Sequence, residues 1–278
     1  MRIRPYLELA RLNRPIGIWL LGWPIMWALW IASKGHPHWR TVVVFVLGVV
    51  FTRSAGCVLN DIADRHWDGK VQRTAERPLV TGTVSLSGAW LWSGILLFCA
   101  ALLLLTLTSL AILWVLPAIC LMLIYPYMKR WMHVPQLILG LAFASGIPMV
   151  FAEVTGGVGK VAFWLVGATV LWALAYDTAY AMEDVSDDVR IGLHSTARLW
   201  GRWVVEGIFL CELGMLFCLF EVGQLAGLGF PYMIAVGLSW SFFCWQYVCL
   251  KRNMLSGFAI FMQHQWVGPV MWLGLLLS

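Results

Sequence analysis

The sequence predicts an all-α integral membrane protein with nine transmembrane helices, and three observations carry that prediction. Of 278 residues, 61% are hydrophobic and only 12% charged, with a mean hydropathy of +0.80, whereas soluble domains carry about 25% charged residues. The apolar residues fall in continuous runs of about 20, the length of one helical crossing, without the period-two alternation of a barrel strand. Eighteen Trp, fourteen Phe and seven Tyr exclude a disordered chain, which lacks the aromatic groups that drive burial. Residues 1–278 therefore read as a single polytopic domain, with no room for a large extramembrane one.

The first apolar run follows Arg2, Arg4, Arg11 and Arg14 and is too long for a signal-peptide core, so it reads as the first span. Polar breaks then set nine helices, at about 16–33, 41–60, 86–106, 109–126, 134–153, 161–182, 204–222, 228–249 and 256–277. Of the 19 Lys and Arg, the opposite-side loops hold only Lys34, Arg40 and Lys160. The N-terminus and the loops after spans 2, 4, 6 and 8 hold nearly all the rest, which places the N-terminus in the cytoplasm and, with nine spans, the C-terminus across the membrane. The net charge of +5 follows from the same bias and calls for no nucleic-acid partner. No obligatory protein partner is indicated. The seven cysteines lie in apolar stretches without a CxxC pair, as buried small hydrophobes, and the six histidines read as surface or packing residues.

Two cytoplasmic loops, 60–85 and 177–203, are longer than their neighbours and rich in acid. In the first, Asp61, Asp64 and Asp68 fall at i, i+3 and i+7 and share a face if span 2 continues as a helix past the membrane edge. In the second, Asp177, Asp184 and Asp188 fall at i, i+7 and i+11 and are expected on one helical face, with Tyr180 between them. Unpaired carboxylates so placed repel one another, so a stable arrangement calls for cations. Open, hard oxygen ligands suit Mg²⁺, which keeps several waters and bridges to substrate phosphates.

Basic residues follow the acidic ones. Arg73, Arg77, Lys129 and Arg130 stand in cytoplasmic loops, where guanidinium groups clamp phosphate oxygens bidentately and Lys acts as a point charge. With two metal-binding faces they complete a diphosphate site. Arg53 lies inside span 2, where a charge is costly and faces a cavity or partner; it reads as a ligand for an anionic substrate group.

Three motifs carry a family resemblance: N-D-x-x-D-R-x-x-D-x-x-V-x-R-T-x-x-R-P-L at 60–79, Y-P-Y-M-K-R at 125–130 and Y-D-T-x-Y-A-M-x-D-x-x-D-D-V-x-I-G-x-x-S-T-A at 176–197. With R-P-I-G at 14–17, these resemble the UbiA superfamily of membrane prenyltransferases over essentially the whole chain, and within it the members that prenylate 4-hydroxybenzoate in ubiquinone synthesis. The resemblance implies helices around a central cavity, cytoplasmic loops capping a diphosphate site, and a side opening toward lipid. By motif it places one Mg²⁺ on Asn60, Asp64 and Asp68 and another on Asp184 and Asp188. Arg65, Arg73, Arg77, Lys129 and Arg130 are then expected to hold the diphosphate of a polyprenyl donor, and Arg53 the carboxylate of 4-hydroxybenzoate. The second motif departs from the family pattern at Glu183, Val185 and Ser186.

The expected chemistry is ionisation of the allylic C–O bond, with Mg²⁺ and the basic groups stabilising the departing diphosphate. The ring carbon ortho to the hydroxyl then attacks. Tyr125 and Tyr180 are placed to shield the cation with their ring faces. Other acceptors used in the superfamily, a naphthoate, a haem or a glycerol phosphate, remain open. An ion-coupled transporter needs ionisable residues near the bilayer midplane on broken helices, whereas these acids cluster at cytoplasmic helix ends.

Overall fold

The computed structural model describes residues 3–69 and 74–278. Among them are sixteen α-helices and no strand. In chain order these are α1 Arg4–Leu9, α2 Ile16–Ala32, α3 Trp39–Asp68, α4 Leu86–Leu104, α5 Ser109–Leu113, α6 Val115–Ile124, α7 Met128–Trp131 and α8 Pro135–Ala144. They continue as α9 Gly146–Thr155, α10 Lys160–Ala181, α11 Val185–Ile191, α12 Thr196–Trp200, α13 Val204–Ala226, α14 Phe230–Lys251, α15 Gly257–His264 and α16 Val267–Leu276.

Among the described residues, seven helical stretches are long and apolar enough to cross a membrane: α3, α4, 109–131, 135–155, 160–191, 196–226 and α14. The sequence suggested nine. The two remaining apolar runs are helical but shorter: α2 spans 17 residues before Lys34 and Gly35 turn the chain at positive φ, and 256–277 is divided after His264 into α15 and α16. Side-chain oxygens set several helix starts, with Ser85, Thr108, Ser195 and Ser256 each accepting from a backbone N–H three residues on.

The helices close a ring through neighbouring pairs α2–α9, α9–α10, α10–α13, α13–α14, α14–α16 and α16–α2. α10 is its most heavily packed member, lying chiefly on α13 and then α8. Its fully buried Ala162, Ala168, Ala173, Ala175 and Ala179 let neighbouring backbones approach, which is how helices associate where lipid gives no hydrophobic drive between them. Trp27 of α2 stacks on Trp172 of α10 at 5.4 Å and donates its indole N–H to the Gly268 carbonyl of α16 at 3.1 Å. Outward-facing Phe98, Leu105, Leu113, Phe163, Leu210 and Phe217 are exposed, a surface suited to hydrocarbon.

α3 and α10 are the elements that matter for function. α3 runs unbroken for 30 residues, past the expected end at 60, so the first acidic motif is helical throughout. α10 ends at Ala181, and a 3₁₀ turn, Met182–Asp184, leads into α11, so Asp177, Asp184 and Asp188 do not share one continuous helical face. All seven cysteines are free, but Cys120 is exposed rather than buried.

At the start of α15, a Cβ on Gly257 would lie 2.1 Å from the Ala179 carbonyl oxygen, so only glycine lets α15 close on α10. Gly257→Val is expected to cost about 1–3 kcal/mol through this overlap, read as a lower unfolding temperature of the detergent-solubilised protein.

Candidate active site

The acidic end of α3 is a lattice of alternating charge. The Asp61 carboxylate, 2% exposed, accepts from Arg11 Nη2 at 3.1 and 3.0 Å and lies 2.9 Å from Arg77 Nη1. The same Arg77 Nη1 donates to Asp68 Oδ2 at 2.7 Å. Burial works against the charge on Arg77, but Asp61 and Asp68 outweigh it and hold the guanidinium above its usual pKa. Thr74 Oγ1 donates to the Asp68 carbonyl at 2.6 Å, fixing the return of the chain. One turn away, Arg130 Nη2 donates to Asp64 Oδ1 at 3.0 Å and to the Ala63 carbonyl at 3.2 Å, with its guanidinium against the rings of Trp67 and Tyr127. The carboxylates are therefore not unpaired, as their spacing alone suggested: arginines from three parts of the chain supply the cations, and Asp61 is a clamp for Arg77 and Arg11.

Lys129 joins the two motifs. It lies within electrostatic range of Asp64 and of Asp188, and its carbonyl accepts from His194 N at 2.8 Å, tying the segment between α11 and α12 to α7. Asp184 and Asp188 are both buried, and Asp188 Oδ2 has no hydrogen-bond partner. Glu183, one of the departures from the family pattern, accepts from Phe258 N at 3.0 Å at the start of α15.

Arg53 lies deeper on α3. Its guanidinium stands 5.7 Å from the Phe143 ring centre and donates through Nη1 to Cys57 Sγ, while Nε is buried without a hydrogen-bond partner. Tyr125, Tyr176 and Asp177 lie within electrostatic range of it, so α3, the Tyr125–Tyr127 turn and α10 converge here. The R-P-I-G motif gains a physical reason: a Cβ on Gly17 would sit 2.5 Å from an Arg53 nitrogen.

Other expected residues are less central. Arg65 is exposed and donates to the Ile62 carbonyl of its own helix at 3.0 Å. Tyr180 packs its ring on Phe261 at 4.8 Å and Phe258 at 6.1 Å. Asn60 is half-buried one turn before Asp64 on α3. Arg73 lies outside the described residues, as do Arg2 and Lys70 of the sidedness argument. Among the described residues, no three His, Cys, Asp or Glu side chains are grouped to hold a metal ion. Even so, the donor chemistry fits a hard divalent cation, because the acids are carboxylates and Asp188 Oδ2 is buried and unsatisfied. Sequence reasoning missed Arg11, whose role depends on a contact 50 residues away, and Glu212, an acid inside an apolar span that its position alone could have marked.

A polytopic helical bundle with a charged lattice at one end and a buried arginine below it is the architecture of a membrane enzyme acting on an anionic substrate. The chain belongs to the UbiA prenyltransferase family, whose pattern matches residues 21–267. It is 43% identical over 278 residues to the 4-hydroxybenzoate octaprenyltransferase of Nitrosospira multiformis, covering 100% of this chain and 96% of that one. It is 45% identical over 282 residues to the enzyme of the same name from Vibrio cholerae, covering 100% and 98%. Among solved structures it is similar to the apo form of a UbiA homolog from Aeropyrum pernix, with a TM-score of 0.82, 22% identity and 93% and 97% of the two chains covered. A UbiA homolog from Archaeoglobus fulgidus bound to GPP and Mg²⁺ gives a TM-score of 0.78 at 17% identity, covering 99% and 100%. These structural likenesses bear on the fold.

If Asp61 serves as a clamp, Asp61→Asn lowers the unfolding temperature, at a cost of about 3 kcal/mol for breaking a buried charge pair. The metal concentration giving half-maximal activity stays within about twofold of wild type, because the carboxamide removes no metal ligand; titrating metal into a prenyl-transfer assay checks this.

Proposed function

We propose that the protein transfers a polyprenyl group from a polyprenyl diphosphate to the ring carbon ortho to the hydroxyl of 4-hydroxybenzoate, releasing diphosphate, in ubiquinone biosynthesis. Full-length identity of 43–45% to enzymes named for this acceptor supports the reading. The observation that carries it is the pairing of a carboxylate–guanidinium lattice at the helix ends with a separate, incompletely satisfied Arg53 below. The reaction needs two anion sites of this kind, one for a diphosphate and one for an acceptor carboxylate.

In this reading the protein is one polytopic domain of the bacterial inner membrane, with the N-terminus and both acidic motifs in the cytoplasm, where charged loops concentrate. Asn60, Asp64 and Asp68 hold one Mg²⁺, and Asp184 and Asp188 another. Bound there, the metal ions supply positive charge against the departing diphosphate. Arg65, Arg73, Arg77, Lys129 and Arg130 hold the phosphate oxygens. Guanidinium and carboxylate already alternate along α3, so a metal–diphosphate unit matches the lattice, cation to carboxylate and anion to guanidinium. Arg53 fixes the acceptor carboxylate through its free Nε–H, and this orientation sets which ring carbon faces the allylic carbon. The C–O bond breaks with its electron pair leaving on diphosphate, the ring carbon supplies the pair for the new C–C bond, and the ring proton departs. Tyr125, near both Arg53 and Asp64, shields the allylic cation, and Tyr180 of α10 is assigned the same role.

Purified protein with a polyprenyl diphosphate and labelled 4-hydroxybenzoate is expected to form prenylated product only with a divalent metal. Asp64→Ala is expected to lower kcat by at least about 100-fold, as loss of charge stabilisation in the transition state does. Arg53→Met is expected to raise the acceptor KM by about 30-fold or more, in line with loss of a buried charge-assisted contact, while diphosphate binding holds. Wild-type turnover of a different acceptor, with none of 4-hydroxybenzoate, would refute the acceptor assignment.

A further inference from the structure

A second polar system lies where the reaction does not use it. Glu212 of α13 is 1% exposed and His264, the last residue of α15, is 0% exposed. Both sit among apolar side chains inside the bundle, where an ionisable residue is expensive and marks a function. His264 Nδ1 accepts from Trp172 Nε1 at 2.9 Å, and His264 Nε2 faces Glu212 Oε1 at 3.3 Å. Because Nδ1 accepts, the ring N–H of the neutral imidazole belongs to Nε2, beside the Glu212 carboxyl group but out of line for a hydrogen bond.

This string leads toward Arg53. Trp172 and His264 each meet the Tyr176 ring edge-on, at 5.6 and 6.0 Å between centroids, and together with Phe261 and Phe143 they box it in on four sides. Phe143 is also the ring against which Arg53 rests, at 5.7 Å. From behind, Trp27 stacks on Trp172, anchored to the Gly268 carbonyl. The break between α15 and α16 falls directly after His264, so the imidazole ends one helix instead of lying within a longer one.

We propose that Glu212, His264 and Trp172 form a membrane-buried positioning string that holds Tyr176 and Phe143, and through them the Arg53 guanidinium, and so determines acceptor affinity. This deepens the acceptor assignment made above and rests on it. Replacing His264 by an apolar residue strands the Trp172 N–H, loosens the aromatic box and lets Arg53 leave its pose. The lattice at the end of α3 shares no residue with the string, so diphosphate binding is untouched.

The test uses the purified full chain in nanodiscs, with initial rates measured against 4-hydroxybenzoate at saturating polyprenyl diphosphate and the reverse. His264→Leu is expected to raise the acceptor KM by about tenfold, the effect of one stranded buried hydrogen-bonding group, and to leave the diphosphate KM within about twofold. His264→Asn, whose Oδ1 can stand where Nδ1 does and accept from Trp172, is expected to bring acceptor KM to within about threefold of wild type. Trp172→Phe should resemble His264→Leu, and it decides the matter if the leucine variant does not fold. Equal changes in both KM values, no change in either, or an asparagine variant as impaired as leucine overturns the proposal while leaving the acceptor assignment standing. A wild type that turns over no 4-hydroxybenzoate overturns both.

Discussion

The acidic end of the bundle is organised around one buried carboxylate. An ionised Asp61 removed from water is costly unless it is paired and hydrogen-bonded. Its partners come from before and after it in the chain: Arg11 follows α1, and Arg77 follows the first acidic motif. The constraint therefore reaches beyond α3. α1 packs in an apolar cluster in which Leu9 and Ala10 meet Ala55, Val58 and Ile62 of α3 and Ala89 and Leu96 of α4, and that packing delivers Arg11 to Asp61. Arg77, shared with Asp68, closes the segment after α3 back on the helix it left. The diphosphate-binding residues of the proposed mechanism are thus preset by a network whose centre is not itself one of them.

The first acidic motif was legible in the sequence because a helical repeat converts spacing directly into a shared face, and α3 continues as a helix to Asp68. The second was legible in composition but not in geometry. Its spacing was read as one helix, whereas the 3₁₀ turn at Met182–Asp184 resets the register, and Glu183 there is occupied with the start of α15. Arg53 stood out as a lone charge in an apolar run. What escaped were pairings between distant segments: Arg11 reads as a topology signal, His264 as a packing residue and Glu212 goes unmarked, although the last two gain meaning only beside each other. Among the described residues, seven of the nine apolar runs form helices long enough to cross a membrane by length alone, and neither the shorter α2 nor the break after His264 is visible in hydropathy, which measures only a run of residues.

Electrostatics works differently at the two depths. At the acidic helix ends full charges alternate, from buried Asp61 and Asp68 to part-exposed Arg11 and Arg130, and each carboxylate there is held by a guanidinium. Deeper, around His264, polar groups meet through hydrogen bonds with fixed donors and acceptors, and a misplaced group has no water to turn to. An enzyme that must ionise a diphosphate and also exclude water from the resulting carbocation needs both regimes in one bundle. α3 and α10 connect them: α3 carries Arg53 two turns below its carboxylates, and α10 carries Trp172 and Tyr176 below Asp177. A transporter would set its charges at mid-depth to move them across. Here the alternating charges lie at the helix ends, with Arg53 two turns deeper, an arrangement suited to a water-soluble diphosphate that leaves and a lipid-soluble product that stays.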